Sequence, residues 1–199
     1  MNIYSISKPR PRSITVGGKT YVLNLSFDRV LSAIELLSSE NFDDNDTLDI
    51  IYEWFVINNK KAEIEERLTV VNEIFGQLIN NRNEHSSDDE QETISFSQDA
   101  GYIYAAFRQA YGIDLFEQQG KMQWWEFISL LQSLPENTRL SQIIDIRTRP
   151  VPVMTQKNYK EIQSLLKLKA QFAIKQPVNC SKAQNGWERL FAVLEKQAQ

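Results

Sequence analysis

The chain has 199 residues, 42% of them apolar and 24% charged, with a formal net charge of −4 at pH 7. This is the balance of a folded globular protein, and it excludes a disordered or fibrous chain. One cysteine and one histidine exclude a disulfide scaffold and a Cys/His zinc site. No run reaches the ~20 apolar residues that span a bilayer, and the N-terminus lacks a signal-peptide core, so a soluble intracellular protein is expected.

Seven glycines and six prolines are about half the usual share, which favours long helices over many tight turns. The expected fold class is mainly α, with an N-terminal β-hairpin followed by about seven helices. Ile14 and Val16 alternate with polar residues before Gly17-Gly18, and Tyr21, Leu23 and Leu25 alternate beyond it. A Gly-Gly pair supplies the positive φ angles of a two-residue hairpin turn. Residues 2–7 are a candidate third strand. Gly17-Gly18 is not a phosphate-binding loop, because no Lys-Ser/Thr follows at Walker spacing.

Ser26 is the expected N-cap of a first helix carrying Phe27, Val30, Leu31, Ile34 and Leu37. The acidic run from Asn41 to Asp46 superficially suggests a calcium loop. Counted from Asp43 or Asp44, however, neither the sixth residue is Gly nor the twelfth Glu. Asp46 reads instead as the N-cap of a second helix with Leu48, Ile51, Tyr52, Phe55 and Val56. A third helix begins near Lys61, with Ile64, Leu68, Val71, Phe75 and Leu78 alternating by fours and threes.

Residues 81–98 are polar and acidic and read as a flexible linker between an N-terminal unit (1–80) and a C-terminal helical unit (99–199). His85 lies in this stretch without an orienting framework. From Ser97 a helix carries Ala100, Ile103, Tyr104, Phe107 and Tyr111 and stops at Gly112. Asp114 starts a turn to Gly120, and Trp124, Trp125, Phe127, Ile128, Leu131 and Leu134 form a helix ended by Pro135. Adjacent tryptophans point roughly 100° apart on a helix, so one of them is expected at a seam or on the surface. Leu140, Ile143 and Ile144 mark a short helix, followed by an extended stretch from Arg147 to Pro152. The clearest helix follows Thr155, with Tyr159, Ile162, Leu165, Leu166, Lys169 and Phe172 at helical spacing and Lys157, Lys160, Lys167 and Lys175 on its flanks. A last helix carries Trp187, Leu190, Phe191 and Leu194.

Charge is segregated. Residues 147–199 hold ten Lys/Arg against three Glu, a net of +7, whereas residues 1–146 have a net of −11. No GxSxG elbow, HExxH, paired-carboxylate metal motif or dinucleotide fingerprint is present, and Cys180 has no partner that sequence identifies. No enzymatic activity, cofactor or metal is therefore expected. The basic end lacks a helix-turn-helix or RNA-recognition signature, so nucleic acid is not an expected partner, and neither is a membrane.

The block Ala100-Gly-Tyr-Ile-Tyr-Ala-Ala-Phe-Arg-Gln-Ala-Tyr-Gly-Ile-Asp-Leu, with Gln123-Trp-Trp-Glu-Phe and Ile144-Asp-Ile-Arg-Thr-Arg, resembles the "gene product fifteen" family of bacteriophages. That family belongs to the tail-gene cluster of long-tailed phages and prophages of Gram-positive bacteria. The opening Ile14-Thr-Val-Gly-Gly-Lys-Thr-Tyr-Val-Leu-Asn-Leu-Ser-Phe-Asp is similar to the start of phage tail assembly chaperones. The resemblance covers most of residues 12–152. It implies a chaperone that binds the tape-measure protein while the tail tube polymerises, with the tube protein a second candidate partner. It further implies action in the host cytoplasm, self-association, and absence from the finished virion. A tail or head–tail connector component retained in the particle is the competing reading, and a regulator acting through the basic C-terminal helices is a third. Trp124, Trp125, Arg147 and Arg149 are the candidate partner-binding residues.

Overall fold

A computed structural model of the chain describes residues 12–38, 44–79 and 93–175. Strands β1 (Ser13–Val16) and β2 (Lys19–Val22) precede helices α1 (Phe27–Ser38), α2 (Asp44–Phe55) and α3 (Ile64–Glu73), the last continued by a π-helical stretch, Ile74–Ile79. Helices α4 (Ala100–Tyr111), α5 (Trp124–Gln132), α6 (Arg139–Thr148) and α7 (Tyr159–Gln171) follow. The architecture is mainly α, with a two-stranded hairpin and seven α-helices among the described residues. The candidate strand at residues 2–7, His85, Cys180 and the last helix expected around Trp187 lie outside the described residues.

β1 and β2 pair antiparallel, with Ile14 opposite Tyr21 and Thr15 opposite Thr20. Gly17 and Gly18 close the turn with φ of 56° and 77°, the two left-handed residues that a type I′ turn demands. A two-stranded hairpin is marginal alone, and here the chain leaving α2 supplies the next rung. Leu23 bridges Val56, Asn24 N–H donates to Phe55 O, and Ile57 N–H donates to Val22 O, both at 2.8 Å. The hairpin is also tied to α3. Lys19 Nζ lies 2.7 Å from the Glu66 carboxylate, and the Tyr21 hydroxyl donates to the same group.

Those donors, Lys19 first and then Tyr21, hold the Glu66 carboxyl below its ordinary value. A lowered folded value stabilises the fold at any pH above the unfolded value of about 4.3, and the contribution fades as pH falls through the folded value. Glu66→Gln should therefore flatten the acid-side loss of stability measured by urea unfolding from about pH 6 to about pH 3. Parallel wild-type and variant curves would show that Glu66 is not linked to folding.

One helix cap and two helix boundaries differ from the sequence reading. Ser26 accepts from Val30 N–H through its carbonyl, but its hydroxyl is buried with no hydrogen-bond partner, so it caps nothing. Helix α2 starts at Asp44, which places Asp46 inside the first turn, where a carboxylate still favours the helix N-terminus. Helix α6 runs through Arg147 to Thr148, and the extended stretch begins only at Arg149, the residue that Pro150 keeps out of helical geometry. At α4 the expected stop holds: Gly112, at φ 67°, donates its N–H to Arg108 O.

The core does not divide at the acidic stretch. One cluster of buried residues runs from Tyr21 and Leu23 through α1, α2 and α3 to Phe107, Trp124, Phe127 and Leu140. At its centre Phe127 stacks on Phe27 at 5.0 Å and on Phe107 at 5.2 Å between ring centroids. Backbone bonds stitch the same seam, with Trp124 N–H on Leu25 O (2.8 Å) and Phe27 N–H on Met122 O (3.0 Å). Gly120 N–H adds a bond to Asp28 Oδ1 at 2.9 Å. The end of the expected linker, residues 93–98, is packed rather than free: Ser95 is fully buried, and Phe96 lies edge-on to Trp124 at 5.8 Å.

Candidate interaction surface

The four residues singled out from sequence occupy different environments. Trp124 is buried, its ring against Phe96 and stacked on Phe127, so it anchors the core rather than a partner. Trp125, turned away by the helical rotation, is 38% exposed. Arg149 is exposed and reaches one turn back to Asp145, a solvated pair of little energetic weight.

Arg147 is a structural clasp. Its side chain is 8% exposed and that of Asp99 is 1% exposed. The guanidinium holds the carboxylate in a fork, Nη1 to Oδ2 at 2.6 Å and Nη2 to Oδ1 at 2.8 Å. Its remaining donors reach Thr93 O (2.8 Å, from Nη1) and Phe172 O (2.7 Å, from Nε). Lys169 Nζ donates in turn to Arg147 O at 2.8 Å. One side chain thereby joins the entry to α4, the end of α6 and the end of α7. This burial takes Arg147 out of the candidate surface.

The exposed apolar area lies elsewhere, on α7 and the segment before it. Ile162 and Phe172 are buried, yet Tyr159 is 48% and Leu166 45% exposed. Val153 is 87% exposed, and Val151, Met154 and Leu168 are exposed as well. Met154, Thr155, Gln156 and Tyr159 line a shallow depression at the start of the helix. Lys157, Lys160, Lys167 and Lys175 are all exposed beside this apolar area. The sequence reading treated these lysines as an ordinary wet face. The overlooked signal was that leucines at 165, 166 and 168 spread around the helix more widely than a single packing partner can cover.

The sequence profile of the Bacteriophage Gp15 protein family matches residues 7–174, which spans the hairpin and the seven described α-helices. The chain belongs to this family. It is accordingly a phage structural or morphogenesis protein. Neither the curated proteins nor the solved structures yielded a match. The matched span of this Gp15-family chain ends immediately after α7, so the partly uncovered helix is inside the family region. Among the described residues no group of His, Cys, Asp and Glu could hold a metal ion. No described helix is long and apolar enough to cross a membrane.

Proposed function

We propose that this Gp15-family protein is a tail assembly chaperone that binds the tape-measure protein during tail tube morphogenesis. The role is one of binding, without a chemical step, carried out in the host cytoplasm and ended before the particle is complete. The observation that carries this reading is the uncovered apolar flank of α7, continuous in sequence with the exposed Val151–Met154 segment and edged by lysines. An amphipathic helix laid against such a flank buries its own apolar face there, and the lysines select acidic borders. Many weak contacts of this kind along one long client give avidity while allowing release as tube subunits arrive.

Co-expression with the tape-measure protein, affinity capture and light scattering test the reading. The expected result is a soluble complex holding several copies of the chaperone per client. Tyr159→Asp with Leu166→Asp should lower client recovery by at least about tenfold while leaving the fold intact, because two apolar contacts are replaced by desolvated charge. A client that stays insoluble, together with stoichiometric recovery of this protein in purified virions, would replace the chaperone with a retained connector.

A further inference from the structure

The two long edges of the hairpin are finished differently. On β2, Val22 N–H donates to Asn58 Oδ1 at 2.7 Å, and Thr20 O accepts from Asn58 Nδ2 at 2.9 Å. The Asn58 amide takes the place of a neighbouring strand and seals that edge. The edge of β1 has no such cover. Arg12 O accepts from Leu23 N–H at 2.8 Å, so hydrogen-bonded pairs alternate as Arg12–Leu23, Ile14–Tyr21 and Val16–Lys19. Ser13 and Thr15, at the intervening pairs, therefore turn N–H and C=O outward. None of these groups has a hydrogen-bond partner among the described residues. The usual protections of an edge, a proline, a bulge or an inward charge, are missing from Ser13–Val16.

A strand laid on this edge must offer donors and acceptors at the same alternate spacing. A second copy of β1 does so. Placed antiparallel about a two-fold axis at Ile14, it sets Ser13 opposite the second copy's Thr15 and Thr15 opposite its Ser13, each pair exchanging both backbone bonds. The side chains suit this register. Ile14 meets its own copy on the inner face, and the exposed Ser13 and Thr15 hydroxyls meet on the outer one. Arg12 is exposed and has no ion-pair partner among the described residues. The register puts it beside the second copy's Val16, on the face that the first turn of α3 approaches. There Glu66 already neutralises Lys19, and Glu65 is exposed without an ion-pair partner among the described residues, so the incoming cation meets acidic charge.

We propose that two copies associate edge to edge through β1, antiparallel and symmetric about Ile14, so that their hairpins form one continuous sheet. The contact is small, which makes it reversible. It uses no residue of α7, and it stands independently of the chaperone reading.

Light scattering and sedimentation of the full chain over about a hundredfold range of concentration should show a reversible monomer–dimer equilibrium. Thr15→Pro removes an outward donor that the folded monomer does not use, and should leave a monomer with unchanged circular dichroism. Charge variants check the register without a proline. Ser13→Lys with Thr15→Lys sets like charges opposite each other across the axis and should abolish the dimer. Ser13→Lys with Thr15→Glu sets opposite charges there and should strengthen association by on the order of tenfold. In a Cys180→Ser background, Ile14→Cys should oxidise to a covalent dimer, because directly opposed, non-hydrogen-bonded positions suit a disulfide. Val16→Cys in the same background should not. A chain that stays monomeric throughout, a dimer that survives Thr15→Pro, or equal crosslinking at positions 14 and 16 would each overturn the proposal. So would slow exchange of the Ser13 and Thr15 amides that is independent of concentration, which gives the edge to the chain's own N-terminal residues.

Discussion

Arg147→Ala is expected to destabilise the protein by about 3–5 kcal/mol, a large part of the roughly 5–15 kcal/mol that holds a domain of this kind together. The loss arises from what the arginine leaves behind. Among the described residues, Asp99 keeps only the 2.9 Å bond from Ser95 N–H while its side chain is 1% exposed. Thr93 O and Phe172 O lose their guanidinium donors at the same time. Arg147→Lys should recover less than half of the loss, because an ammonium cannot make the planar fork and reach two carbonyls on separate elements. In a double-mutant cycle with Asp99→Ala the pair should cost clearly less than the sum of the single changes, since removing both charges leaves no unpaired ion. Urea unfolding measures all four species. An Arg147→Ala loss below about 1 kcal/mol would show that the fork is not maintained in solution. Hydrogen exchange should place the largest change in α7, whose C-terminal end depends on this clasp.

The second large effect is expected at Phe127. Its ring touches Phe27 from α1, Phe107 from α4, Trp124 one turn earlier, and Phe96 from the segment leading into α4. Phe127→Ala removes that shared surface and should cost about 3–5 kcal/mol. Because the cluster spans both sides of the acidic stretch, the loss is not confined to the C-terminal helices. Fluorescence from the tryptophans and far-ultraviolet circular dichroism should report one coincident, shifted transition in wild type and variant. Two separated transitions, with only the later helices affected, would support two independent units.

The hairpin and most helices were legible because the information is local. Gly17-Gly18 specifies a turn through its own φ angles, Gly112 a helix stop, and the period of Phe27, Val30, Ile34 and Leu37 a buried face. The packing of residues 93–98 was not legible for a related reason. Residues 93–98 are polar by composition, yet Ser95 and Phe96 are held in place by groups far along the chain. The family was legible too, through the aromatic block from Ala100 and the paired tryptophans.

What the sequence determined by itself is this local grammar: strand, turn, helix, the mainly α class, and the rule that Trp124 and Trp125 cannot share one face. Which tryptophan turned inward was decided by tertiary packing, because the aromatic cluster around Phe127 accepts Trp124. Only the assembled fold distinguishes Arg147 from Arg149. The two lie two residues apart with identical chemistry, but one meets Asp99 across 48 positions of chain and is buried, while the other meets only its helical neighbour Asp145. The uncovered flank of α7 follows the same logic. Helical periodicity marks which side chains are apolar, but burial depends on which surfaces from distant sequence arrive to cover them.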